Sequence, residues 1–189
     1  MMASSLSTTK FTYEDYVLFP DDGRRHELID GEHYVTLSPL TKHQRIVANL
    51  LISLGSHLKE ITRGQLLCAP MDVVLSDQDV VQPDLLFIAQ DRASIITEKN
   101  IQGVPDLVVE ILSESSRKTD EIIKRKLYER YQVQEYWIVD PELENIKIYR
   151  QADQGYTRTA ELSTETHDAV TSALFPNWTL PLTQVFGNG

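Results

Sequence analysis

The sequence predicts an α/β fold with a mixed β-sheet flanked by helices, and three observations carry that prediction. Two short, almost wholly apolar runs at 106–112 and 136–139 fit central strands covered on both faces. A helical stretch over 116–131 joins them, which makes them parallel neighbours in one sheet. Asp30-Gly31 between two β-prone runs marks a tight N-terminal hairpin. The 189 residues fit one ordinary domain, expected over 11–186. Residues 1–10, polar and without periodicity, are expected to be a disordered lead-in.

Taken in order, Thr12 can cap a short helix over 13–18, with Glu14 and Asp15 in its first turn. The run Phe19-Pro20-Asp21-Asp22-Gly23 stops it. The hairpin strands follow at 25–29 and 32–37. Ile46, Val47, Leu50, Leu51, Leu54, Leu58 and Ile61 recur at three- and four-residue spacing, so 41–61 is a helix that ends near Gly64. Strands are predicted at 65–69, 71–75 and 80–88, separated by Pro70 and by Ser76-Asp77-Gln78-Asp79. A loop is expected over 90–104. Late antiparallel strands at 146–150 and 156–162 follow the parallel pair, and 180–186 closes the chain.

Composition excludes several classes. Eighteen Lys+Arg against 28 Asp+Glu leave a formal charge of −10, which counts against a basic coat for nucleic acid or membrane but not against a local patch. The longest apolar run, 85–89, is far too short to span a bilayer, so no membrane partner is expected. The first residues lack an apolar signal core, so a cytoplasmic location is expected. A single cysteine, Cys68, can form no internal disulfide and has no CxxC partner for zinc. A Walker loop and GxGxxG are absent, and the Ser113-Glu114-Ser115-Ser116 run lacks the Gly-x-Ser-x-Gly elbow.

Two carboxylates look out of place. Glu110 lies within Leu107-Val108-Val109-Glu110-Ile111-Leu112, and Asp84 precedes Leu85-Leu86-Phe87-Ile88. Either alone could be a strand-end carboxylate facing solvent or bonding a loop. Together in one crevice they would form a hard-oxygen site suited to Mg²⁺ or Mn²⁺. On the following helix, Ile122, Ile123, Leu127, Tyr128 and Tyr131 define an apolar face at about 100° per residue. Asp120 falls near its centre, with Lys124 about 50° away by the same geometry. That pair is either an internal i,i+4 salt bridge or a cation beside the carboxylates. Arg117, Lys118, Lys124, Arg125, Lys126 and Arg130 against Asp120, Glu121 and Glu129 make the helix locally basic, able to steer a phosphate or simply solvated. His43 and His57 lie fourteen residues apart on the long helix, too far for a zinc pair; helix-end or interface roles are expected. His26 and His33 alternate along the hairpin as ordinary surface residues would.

The order of these blocks resembles the PD-(D/E)XK nuclease superfamily and, within it, the Uma2 branch of bacterial restriction endonucleases. The resemblance runs through Glu27-Leu28-Ile29-Asp30-Gly31-Glu32, His43-Gln44-Arg45-Ile46-Val47, Ala69-Pro70-Met71-Asp72-Val73 and Val80-Val81-Gln82-Pro83-Asp84. It continues through Val104-Pro105-Asp106-Leu107-Val108-Val109-Glu110 and Glu135-Tyr136-Trp137-Ile138-Val139-Asp140-Pro141, and covers 11–186. It implies a restriction-endonuclease-like core and a metal-dependent endonuclease acting on DNA, with Mg²⁺, or Mn²⁺ as substitute, held by Asp84, Glu110 and the backbone carbonyl of Ile111. Leu112 stands where the superfamily motif has its lysine; Lys124, which matches the lysine the family keeps on the next helix, takes that role. Glu27 and His43 sit in matching blocks and are expected to line the crevice. Gln82 and Asp72 are weaker candidates, as are Lys118 and Lys126 for substrate. A homodimer would place two such sites across two strands. Two rival functions fit the same sequence: a catalytically silent nuclease fold used for binding or assembly, and a metal-dependent phosphodiesterase for a smaller substrate.

Overall fold

In the computed structural model, which describes residues 10–61 and 63–187, the chain enters its first sheet from one helical turn, Tyr13–Tyr16 (α1). The Asp15 carboxylate accepts from the Thr12 N–H at 2.8 Å and closes the turn. Strands Arg25–Ile29 (β1) and Glu32–Thr36 (β2) form the expected hairpin. Asp30 and Gly31, with φ of 53° and 71°, supply the two left-handed positions its tight turn requires. The long helix Thr41–Ile61 (α2) has the predicted limits. Ile46, Leu50, Leu54 and Leu58 are buried along one side of it. Burial of four such side chains contributes roughly 6–12 kcal/mol in gross hydrophobic free energy, far more than helix propensity supplies.

Strands Gly64–Cys68 (β3) and Val73–Ser76 (β4) follow. The run over 80–88 differs from expectation. It is two strands, Asp79–Val81 (β5) and Leu85–Ala89 (β6), and they belong to different sheets. Pro83, without an N–H and biasing its predecessor's backbone, breaks the run, and Gln82-Pro83-Asp84 carries the chain from one sheet to the other. The expected loop over 90–104 contains a 3₁₀ turn, Gln90–Ile95, and a two-residue strand, Ile101–Gln102 (β7).

Leu107–Ile111 (β8) and Glu135–Asp140 (β9) pair in parallel, with Glu110 opposite Ile138. Their connection is the predicted helix, though of mixed kind: Thr119–Lys124 is a π-turn and Arg125–Arg130 (α3) is α-helical. The π-turn rotates side chains away from the even wheel. Ile122, expected on the apolar face, is 46% exposed, while Asp120 and Lys124 are both buried. Asn145–Ala152 (β10) and Gly155–Ser163 (β11) form the late antiparallel pair. Ala169–Val170 (β12), Leu180–Pro181 (β13) and a terminal turn, Leu182–Phe186 (α4), complete the described chain.

The larger of the two main sheets runs β11-β10-β9-β8-β6-β3 and the smaller β2-β1-β5-β4-β7, while β12 and β13 pair as a separate two-stranded sheet. Alternation along β8 sends Leu107, Val109 and Ile111 to one face, where they pack with α2, Trp137, Phe175 and Trp178. Val108 and Leu112 pack on the other face with Leu127, Tyr128, Tyr136 and, from the smaller sheet, Ile29 and Val81. Glu110 shares that second face by alternation. Among the described residues no helix is long and apolar enough to cross a membrane. The lead-in expected over 1–10 falls, except for Lys10, outside the described residues.

Candidate active site

The break at Gln82-Pro83-Asp84 and the end of β8 open a cavity of about 460 Å³, lined by Arg25, Glu27, His43, Gln82, Asp84, Glu110, Ile111, Asp120 and Lys124 among others. Five separate parts of the chain supply them, each for a local reason. Arg25 and Glu27 are two apart on β1 and so share a strand face. Asp84 follows the proline that ends β5, and Glu110 is the one charged residue of β8. His43 lies in the first turn of α2, and Asp120 and Lys124 both lie on the π-turn.

Lys124 is the hub. Its Nζ lies 2.9 Å from Glu27 Oε1, 3.1 Å from Glu110 Oε1 and 3.4 Å from Asp120 Oδ1. The Tyr128 hydroxyl, one turn further on, donates to Glu110 Oε1 at 2.8 Å. Glu27 Oε1 also accepts the Gln82 N–H at 2.8 Å, tying β1 to the crossover. Asp84 belongs to a second cluster: Oδ1 accepts from Arg25 Nη1 at 2.6 Å, while Oδ2 accepts from the Ile111 N–H at 2.8 Å and pairs with His43 Nε2 at 3.0 Å. His43 therefore carries its proton on Nε2 when Asp84 is ionised; its buried Nδ1 has no hydrogen-bond partner.

Glu27, Asp84, Glu110 and Asp120 are all buried and face two permanent cations, Arg25 and Lys124, so carboxyl groups outnumber cations. Burial pushes the Glu110 carboxyl well above the usual carboxylate range; Lys124 opposes the shift, and Asp120, Asp84 and Glu27 add to it. Burial likewise raises Asp120 to about 6 despite Lys124. Asp84 goes the other way: burial disfavours its charge, but His43 and Arg25 outweigh this and hold it below its ordinary value. Burial disfavours the Lys124 ammonium too, yet Glu110, Glu27 and Asp120 overcome it and raise its affinity for a proton. Lys124 is thus a fixed charge and hydrogen-bond donor, unsuited to act as a base near neutral pH.

Of the residues singled out from sequence, Asp84, Glu110, Ile111, Lys124, Glu27, His43 and Gln82 line this one cavity. Lys118 and Lys126 do not; both are exposed on the helix outside the lining. Other charges of that basic helix are engaged internally: Arg117 with Asp140 at 2.6 Å, Arg130 with Asp30 at 2.6 Å. Asp72 accepts from the Tyr16 hydroxyl at 2.7 Å and from Gln82 Nε2 at 2.9 Å, supporting the crossover from behind. His26 is buried rather than an ordinary surface residue, and its Nδ1 meets His33 Nε2 at 2.9 Å. Leu112 packs with Leu127 and Tyr128.

Sequence reasoning missed Arg25 and the polar role of Tyr128. Tyr128 carried a signal, standing four after Lys124 on the same helix, whereas Arg25, two before Glu27 on a strand, carried none without its partner Asp84. Among the described residues no group of three or more His, Cys, Asp or Glu side chains is arranged to hold a metal ion.

Comparison with known proteins bears on this geometry. A family model, Uma2, described as "Putative restriction endonuclease", matches residues 13–183. The crystal structure of a "putative nuclease belonging to DUF820" from Anabaena variabilis superposes with a TM-score of 0.77. That likeness covers 93% of this chain and 97% of that one at 18% identity, and it shows the shared fold. No curated protein matches the chain.

Proposed function

The chain belongs to the Uma2 family of restriction-endonuclease-like proteins, and from that premise we propose that it is a Mg²⁺-dependent endonuclease hydrolysing phosphodiester bonds in DNA. The observation that carries the proposal is the gathering of Asp84, Glu110 and Lys124 in one cavity with more buried carboxylate than cation. The donor chemistry fits the metal. Mg²⁺ is held by oxygen ligands, commonly one or two carboxylates with water completing the shell. Asp84, Glu110 and the Ile111 carbonyl are such a set.

When bound, Mg²⁺ supplies a Lewis acid for the phosphoryl oxygen and lowers the pKa of a coordinated water. The chain's residues do the rest. The Lys124 ammonium, its donors directed at Glu27, Glu110 and Asp120, acts as a fixed positive charge that offsets charge developing on the phosphate. Tyr128, whose hydroxyl burial keeps protonated, holds Glu110 in place. His43 and the Ile111 N–H fix the Asp84 carboxylate from behind.

Supercoiled-plasmid cleavage in Mg²⁺ and Mn²⁺ at low salt, with wild type, Asp84→Asn and Glu110→Gln, tests the proposal. Cleavage by the wild type alone is expected, together with loss of Mn²⁺ binding in both variants by calorimetry and retention of their folds. Equal cleavage by all three would sink the site. One observation favours a second function: much of the helix's basic charge is engaged with acidic neighbours, and a cavity of about 460 Å³ falls within the range of small-ligand sites. A smaller phosphodiester, hydrolysed by the same residues, is that alternative. Intact plasmid with turnover of bis(p-nitrophenyl) phosphate would select it.

A further inference from the structure

The two cations that face the cavity carboxylates are held in different ways. Lys124 is enclosed, its side chain only 6% exposed among three carboxylates. Arg25 is 22% exposed, and its Nη1 meets a single carboxylate oxygen, Asp84 Oδ1, at 2.6 Å. Asp84 is divided in the same sense. Its Oδ2 is tied to groups that cannot leave, the backbone N–H of a central strand and a buried histidine. Its Oδ1 is tied to a long, flexible side chain with access to solvent. The carboxylate therefore keeps its orientation whether or not Arg25 stays.

Resting on the metal-dependent function above, we propose that Arg25 is a cation placeholder. It neutralises Asp84 in the metal-free protein, yields that carboxylate to an incoming divalent cation, and then serves as a ligand for the substrate phosphate. The physical ground is that a guanidinium at 2.6 Å and a divalent ion on one carboxylate repel each other, and only the guanidinium has a stem on which to move away. Its remaining donors form a planar fork suited to phosphate oxygens. A residue that merely orients Asp84 would act in the opposite direction, because its removal would weaken metal binding.

Calorimetric titration of Mn²⁺ alone into wild type, Arg25→Gln and Arg25→Lys decides between them. Arg25→Gln should bind Mn²⁺ at least about tenfold more tightly, since an opposite charge at this range biases a carboxylate by about one to three decades. Arg25→Lys, which keeps the charge, should stay near wild type. Inorganic phosphate titrated onto the Mg²⁺-loaded proteins should bind Arg25→Gln several-fold more weakly. Equal or weaker Mn²⁺ binding by Arg25→Gln overturns the placeholder, and unchanged phosphate binding overturns the second role. If Arg25→Gln does not fold, the wild type still decides. Its Arg25 side-chain ¹⁵N resonances, assigned by their loss in Arg25→Lys, should shift during Mg²⁺ titration with the midpoint of metal binding; resonances that stay put overturn the exchange. Wild type that takes up no Mn²⁺ at all would instead count against the metal-dependent function.

Discussion

Removing the Lys124 ammonium would leave Glu27, Glu110 and Asp120 buried around nothing. Breaking a buried ion pair from one side costs about 3–5 kcal/mol. Lys124→Ala should lose that much in urea denaturation, so its loss of activity alone would say little about chemistry. Asp120 behaves oppositely. Its folded-state pKa of about 6 lies above the ordinary aspartate value of 3.8, so the folded state holds this proton more tightly than the unfolded chain. The group's contribution is therefore most favourable below about pH 4 and is lost as pH rises to about 6, a change of about 2–3 kcal/mol. Asp120→Asn should flatten that part of the stability–pH curve and melt higher than wild type at pH 7. A curve of unchanged slope would mean that Asp120 is not the group responsible. The carboxylates and Lys124 stood out in the sequence because charge inside an apolar run or on an apolar helix face is costly. Arg25 did not, because an arginine starting a hairpin strand looks like any half-exposed one until its partner, Asp84, is known.

The π-turn over Thr119–Lys124 belongs to the element scale, since Ile122 turns outward there while Asp120 and Lys124 keep the buried face on which a regular wheel also places them. Such turns place one residue more than an α-helical turn would hold. Deleting Ile122 should restore a regular helix and swing the segment before it by about 100° relative to α3. Helical circular dichroism should survive, and stability should fall by about 1–3 kcal/mol, because the buried Tyr136 hydroxyl loses the Asp120 carbonyl it donates to at 3.0 Å. A deletion variant as stable as wild type would mean that the turn is dispensable. The sequence marked this helix correctly from its apolar spacing, as it did α2 and the hairpin, because those patterns are local. The π-turn was invisible to a regular wheel. So was the division at Pro83: five apolar residues after it and a strand before it read as one run, and only the pairing of β5 with β1 and of β6 with β8 shows two.

At the scale of the whole molecule, the candidate site occupies the seam between two sheets, with β1 and the crossover on one side and β8 on the other. What holds the larger sheet beside it is the packing of α2 and the C-terminal segment on the far face. Phe175 meets Phe87 edge-on at 4.9 Å, and Trp178 stacks on Trp137 at 6.0 Å while its Nε1 donates to Ser53 at 3.0 Å. Trp178→Ala should cost about 3–5 kcal/mol in chemical denaturation, although Trp178 is not among the residues that line the cavity. A loss below about 1 kcal/mol would show that the C-terminal segment is not integral to the core.

That stacked pair has an optical consequence. Both tryptophans of the chain lie in the cluster on the α2 face, and the aromatic rings packed on the opposite face beside Glu110 are tyrosines, Tyr128 and Tyr136. Intrinsic indole emission will follow unfolding of the large sheet, and events at the carboxylates will register in tyrosine absorbance instead. The molecule carries two separate chromophores, one for its fold and one for its cavity.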